Sequence, residues 1–183
     1  LIRINERKNV VIGLDLNREG FTAHVMNLCG HVLKEYTEDI TYEGKEELLR
    51  KILAFTRKAV DAYREKNIRS IGIAMQGVLD VEKGISVKFP HCPDWKDVPI
   101  KEIMEREFGK EVFVEHDPNC MLYRKLRDEE SENMLLFRLD RSIGMAASVN
   151  GEILRGYGLL DVAHCIVVPV GKRCKCGKKG WIE

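Results

Sequence analysis

Apolar positions follow one another along this chain in two rhythms, near-continuous or alternating runs and a spacing of three to four. Residues 10–16 (VVIGLDL) are an apolar run and read as a buried strand reaching Asp15. Residues 21–28 read as a second strand, and a Cys29-Gly30 turn leads into a third over 31–36. Three consecutive strands with tight turns predict an antiparallel meander.

The rhythm then changes. Between residues 45 and 66, Leu48, Leu49, Ile52, Leu53, Thr56, Ala59, Val60 and Tyr63 recur at helical spacing with charges between them, which predicts a long amphipathic helix. Residues 68–75 read as a fourth strand, parallel to the first because a helix connects them. Gly77, Asp80 and Gly84 punctuate a hairpin over 78–87. A helix over 99–108 has proline in its first turn, residues 111–115 form a short strand, and Asp117-Pro118 opens a helix to about residue 127.

The charged stretch DEESEN, residues 128–133, reads as an exposed junction. Strands over 134–139 and 144–149 follow, and Asn150-Gly151 turns the chain into 152–155, a strong hairpin signal. The order of three antiparallel strands, helix, strand, helix, strand is that of a ribonuclease H-like α/β lobe. The expected organisation is a linker over 1–9, a first lobe over 10–130 and part of a second lobe over 131–183.

Composition narrows the function classes. The 183 residues are 44% apolar and 32% charged, with a formal net charge of +1, so nothing in the overall charge points to nucleic acid. No apolar run approaches the roughly 20 residues needed to span a bilayer. Cys29, Cys92 and Cys120 are scattered and the other three cysteines cluster, which suggests a reducing, cytoplasmic home rather than a disulfide framework.

The cluster lies in residues 164–183, HCIVVPVGKRCKCGKKGWIE. His164, Cys174 and Cys176 are soft ligands of the kind zinc takes in a tetrahedral shell, with Cys165 beside the histidine. The other reading of the same residues is a core histidine and reduced thiols on a basic loop.

This run resembles the signature of the ROK family (repressor, open reading frame, kinase), a histidine followed by C-x-C-G-x-x-G-C-x-E. Here the family's last cysteine is Trp181 and its glutamate is Glu183. Residues 71–119 are similar to the family's strand and G-P-V-D hairpin, its W-x-D-V-P segment (Trp95 to Pro99) and its E-N-D-x-N turn. Gly77, Asp117 and Asn119 persist there, while His116 stands for asparagine and Gln76 and Val78 for prolines. The resemblance implies two lobes of the actin-like ATPase and sugar kinase fold. It also implies a sugar pocket built from Gly77, Asp117, Asp161, His164 and Glu183, with zinc held by His164, Cys174 and Cys176.

The phosphate loops depart from the family. D-x-G-G-T becomes Asp15-Leu16-Asn17-Arg18-Glu19-Gly20, and G-T-G-I-G-x-G becomes Asp140-Arg141-Ser142-Ile143-Gly144-Met145-Ala146. Side chains replace bare backbone, and Glu19 and Asp140 place like charges near a polyanion. Each such repulsion at roughly 4 Å costs about 1 kcal/mol even in bulk-water dielectric. ATP binding is therefore not expected, and the resemblance is to the non-catalytic repressor branch.

The expectation is a sugar-sensing part of a longer regulator, contacting DNA only through a helix-turn-helix domain outside this chain. Its second lobe is expected to leave apolar surface for a partner or a second copy. The alternative is a kinase for a hexose or amino sugar, in which the family role of the residue matching Asp117 is general base.

Overall fold

The structure, a computed structural model, describes residues 8–17, 20–90, 92–139, 143–155, 165–173 and 177–182. The chain forms two compact units, residues 1–117 and 118–183.

The first unit is built on a five-stranded sheet. Strands β1 (Asn9–Leu16), β2 (Gly20–Asn27) and β3 (Val32–Asp39) form the expected antiparallel meander. β4 (Asn67–Met75) runs parallel to β1, and β8 (Glu111–His116) parallel to β4, giving the order β3-β2-β1-β4-β8. Alternate positions of β1 (Val10, Ile12, Leu14 and Leu16) are at most 2% exposed, so the near-continuous apolar run resolves into one buried face. Strand register then aligns Leu14 with Ala23 on one side and Ile73 on the other, and Ile73 with Val114.

Helix α1 (Lys45–Ala62) lies against β1 and β2 with Leu48, Ile52, Thr56 and Ala59 of the predicted stripe buried, Leu49, Leu53, Val60 and Tyr63 partly so, and Phe55, outside the predicted stripe, buried as well. Phe55 packs on Phe21 with ring centroids 5.6 Å apart. Complete burial of one such apolar side chain contributes about 1.5–3 kcal/mol. The helix ends at Ala62, with Tyr63 as its C-cap, four residues before the predicted end. Helix α2 (Ile100–Phe108) packs on β8, begins after Pro99 and stops at Gly109, which takes left-handed φ 61°.

A second, three-stranded sheet pairs β5 (Val78–Asp80), β6 (Ile85–Lys88) and β7 (Lys96–Val98). The sequence predicts the β5–β6 hairpin but not β7, whose three residues lie between Pro93 and Pro99 and contain Asp97 at φ 47°. Tertiary contact makes this strand: Trp95 is 1% exposed, stacks near Phe89 and donates its indole N–H to the Ser86 hydroxyl at 2.9 Å.

In the second unit, β9 (Met134–Leu139), β10 (Ile143–Val149) and β11 (Glu152–Ile153) form an antiparallel sheet in the order β11-β10-β9. Helix α3 (Asp117–Asp128) contributes Leu122, which packs with Ala146 and Ile153. The chain thus divides at residues 117–118, and not at the charged 128–133 stretch, because the helix before that stretch shares its core with the strands after it. On edge strand β9, Leu135, Phe137 and Leu139 are 59%, 49% and 75% exposed. Among the described residues, no helix is long and apolar enough to cross a membrane.

The start of α1 is capped from a distance. Gly44, its N-cap residue, has no side chain to offer, and the Asp94 carboxylate accepts the Lys45 N–H at 2.8 Å instead. A Cβ on Gly44 would lie 2.8 Å from that carboxylate. The Lys45 N–H, and after it the Cys92 thiol, hold the Asp94 carboxyl below the usual carboxylate range, while burial and the Asp94 contact push Cys92 up to about 11. A carboxyl lowered by folding contributes stability above its unfolded pKa and loses it as pH falls through the folded value. Asp94→Ala is therefore expected to lower Tm at pH 7 and to make progressively less difference below about pH 4, as thermal unfolding at pH 7 and pH 3 will show.

Candidate functional site

Three parallel strands end side by side. Leu16 of β1 pairs with Met75 of β4, and Met75 with His116 of β8, so Asn17, the Gln76-Gly77 turn and Asp117 leave one edge of the sheet together. In open parallel sheets ligands gather outside the carboxyl ends of the strands. Two of the expected sugar-pocket residues, Gly77 and Asp117, stand at this edge.

Gly77 is there for a steric reason. Its φ is 98°, and a Cβ would overlap the Lys88 carbonyl oxygen and come within 3.2 Å of Pro90. Lys88 is itself paired with Val78, so the backbone that blocks a side chain is held in place by the hairpin. Asp117 is 8% exposed and sits in the first turn of α3, where the helix dipole favours an anion.

His116 connects the two. Its Nε2 lies 3.1 Å from the Gly77 carbonyl oxygen and 3.8 Å from Asp117 Oδ1. In the sequence this residue reads as an altered position of the sugar pocket, a departure from an asparagine. Its tie to Gly77 spans 39 positions and is visible only once β4 and β8 are placed together.

The first phosphate-loop position is closed on itself. The Asn17 N–H donates to the Gly20 carbonyl at 3.2 Å, and the Gly20 N–H donates to the Asn17 side-chain oxygen at 3.1 Å. A Cβ on Gly20 would lie 2.8 Å from the Glu38 carbonyl oxygen, so this glycine is required by the neighbouring strand. Arg18 and Glu19 lie outside the described residues, as do Asp140, Arg141 and Ser142 of the second loop. Gly144, which survives from the family pattern there, has a packing reason to be glycine: a Cβ would lie 2.9 Å from Pro118.

Asp161, His164 and Glu183 of the expected sugar pocket lie outside the described residues, as do the expected zinc ligands His164, Cys174 and Cys176. Their neighbours in sequence are described and meet in two isolated antiparallel bridges. The Ile182 N–H donates to the Cys165 carbonyl at 3.1 Å, Ile166 pairs with Trp181, and Arg173 pairs with Lys179. Gly180, at φ 82°, lies so close to Val168 that a Cβ would overlap its carbonyl oxygen. Trp181, at the position of the family's last cysteine, carries Lys178 Nζ 5.6 Å from its ring centroid. Among the described residues no group of three or more His, Cys, Asp and Glu is placed to hold a metal.

Comparison with known proteins shows the family. The family model described as ROK family matches residues 11–183. The chain belongs to the ROK family. Its relatives include a glucokinase of Thermotoga maritima, 29% identical over 179 residues, covering 94% of this chain and 56% of the glucokinase. The DNA-binding transcriptional repressor Mlc of Escherichia coli is 24% identical over 179 residues, covering 94% of this chain and 44% of the repressor. The crystal structure of a ROK family transcriptional regulator, a homologue of E. coli Mlc, superposes with a TM-score of 0.87 at 26% identity, covering 97% of this chain and 46% of that one. These ROK relatives have the actin-like ATPase fold, and this chain shares it. The chain spans about half the length of the curated relatives it matches.

Replacement of Gly77 will test the steric account of the turn. Gly77→Ala forces a Cβ into the Lys88 carbonyl at positive φ and is expected to destabilise the fold by more than about 1 kcal/mol, measured by urea unfolding. Gly72→Ala, where a Cβ meets nothing within 4 Å, serves as the comparison and is expected to change stability less.

Proposed function

We propose that this ROK chain is the sugar-sensing part of a transcriptional regulator and does not carry out kinase chemistry. The observation that carries the reading is the β1–β2 turn, where Asn17 stands in place of a family glycine and its side chain accepts the Gly20 N–H within the turn. Asn17 and Arg18 stand where the family pattern has glycines, and Glu19 and Asp140 add a carboxylate to the first and second loops. Bare amides form anion-binding nests only when they are unoccupied and approachable.

The sugar side keeps its chemistry. Asp117 accepts hydrogen bonds from sugar hydroxyls, and the Gly77 turn brings bare backbone beside it. Asp161, His164 and Glu183 complete the pocket in this reading. His164, Cys174 and Cys176 present one imidazole and two thiolates, a donor set that suits zinc, with the fourth position left to Cys165, water or a sugar hydroxyl. Zinc there would hold the pocket floor in shape. A bound hexose or amino sugar would favour one conformation of a cytoplasmic regulator and so alter how a DNA-binding domain outside this chain meets its operator. The exposed Leu135, Phe137 and Leu139 of β9 suit a second copy of the protein.

A second reading has its own observation in the 29% identity to a glucokinase. In that case Asp117 takes the proton from the sugar hydroxyl that attacks the terminal phosphate of ATP.

Calorimetry on the full-length protein separates the two. One of glucose, N-acetylglucosamine and xylose is expected to bind, Asp117→Asn to weaken that binding by on the order of tenfold or more, and magnesium-ATP to give no heat. Sugar-dependent release of ADP that disappears in Asp117→Asn would replace the regulator reading with the kinase one. Metal analysis of the purified protein is expected to find about one zinc per chain, lost in Cys174→Ser. Well-folded protein free of zinc would remove the metal from this account.

A further inference from the structure

A carbonyl oxygen only accepts hydrogen bonds, so the 3.1 Å contact between His116 Nε2 and the Gly77 carbonyl requires the hydrogen to be on Nε2. The carbonyl cannot drift, because Gly77 is wedged against Lys88 and Val78 is paired with Lys88. Both partners are screened from water, the His116 side chain being 16% exposed and that of Asp117 11%. The imidazole is thus held at a fixed angle, and its N–H dipole stands 3.8 Å from Asp117 Oδ1. That separation is too long for a hydrogen bond and short enough for the dipole to favour one orientation of the carboxylate.

We infer that His116 is a positioning residue for the sugar site: tethered to the Gly77 carbonyl, it fixes the Asp117 carboxylate in the orientation that meets ligand hydroxyls. The inference rests on the reading of Gly77 and Asp117 as part of a sugar site. It departs from the family pattern in a way chemistry explains. Asparagine carries its amide nitrogen directly on Cγ, whereas histidine Nε2 lies two bonds from Cγ. Glutamine also has its amide nitrogen two bonds from Cγ, so it can restore the tether without an imidazole.

Two measurements on the full-length protein test this. Nitrogen-15 NMR of histidine-labelled, sugar-free protein is expected to find His116 as the Nε2–H tautomer; the Nδ1–H tautomer would overturn the tether whatever any variant does. Calorimetry with glucose, N-acetylglucosamine and xylose is expected to show binding within about threefold of the unsubstituted protein for His116→Gln. For His116→Phe, which fills the same space without a donor, binding is expected to be on the order of tenfold weaker. Equal affinity in the Phe variant, or a Gln variant as weak as Phe, would overturn the positioning role while leaving the sugar site standing. Failure of the unsubstituted protein to bind any of the three sugars would remove the sugar reading and this inference together.

Discussion

The parallel register of β1, β4 and β8 is the constraint on which the rest of the first unit depends. It places Leu14, Ile73 and Val114 in one buried row. The same alignment brings Leu16, Met75 and His116 to a common edge, so the groups that follow each strand are delivered to one place. Slipping a strand by one residue would turn its apolar row toward solvent and carry its terminal side chain to the other face. Burial therefore sets the geometry of the site as well as its stability, because one register serves both.

Much of this was legible because burial writes its period into the sequence. The strand over 10–16 and the stripe from Leu48 to Ala59 both follow from where apolar residues fall. Features that depend on distant partners were not legible. Strand β7 has three residues and no period of its own, and it exists through the seating of Trp95 on Ser86 and Phe89. The α1 cap comes from Asp94, 49 positions beyond the amide it satisfies, where a local reading finds only glycine. The charged stretch at 128–133 is exposed as expected, yet exposure alone does not divide a chain when Leu122 packs with strands that follow it.

The site shows the same split. Gly77 and Asp117 could be picked out through their match to the family's hairpin and turn motifs, and the structure adds a physical setting for each, a turn at φ 98° and a helix start. The contact of His116 with Gly77 could not, because it joins residues 39 positions apart. Gly144 shows the opposite error. It matches a phosphate-loop glycine, and Pro118 is a sufficient reason for it to lack a side chain. Agreement with a motif thus has to be weighed against packing at each position.

In the proposed reading, loss of nucleotide binding and retention of sugar binding are compatible because the hydrogen bonds involved are local. The Asn17–Gly20 bonds close the β1–β2 turn within four residues. The Gly77–His116 contact ties the β4–β5 turn to the end of β8. Substitution in the first set changes which amides face outward without moving the strand ends, since Leu16 and Phe21 remain paired across the turn. Giving up one ligand and keeping the other would thus need no new fold, only side chains at the turn that occupy their own backbone.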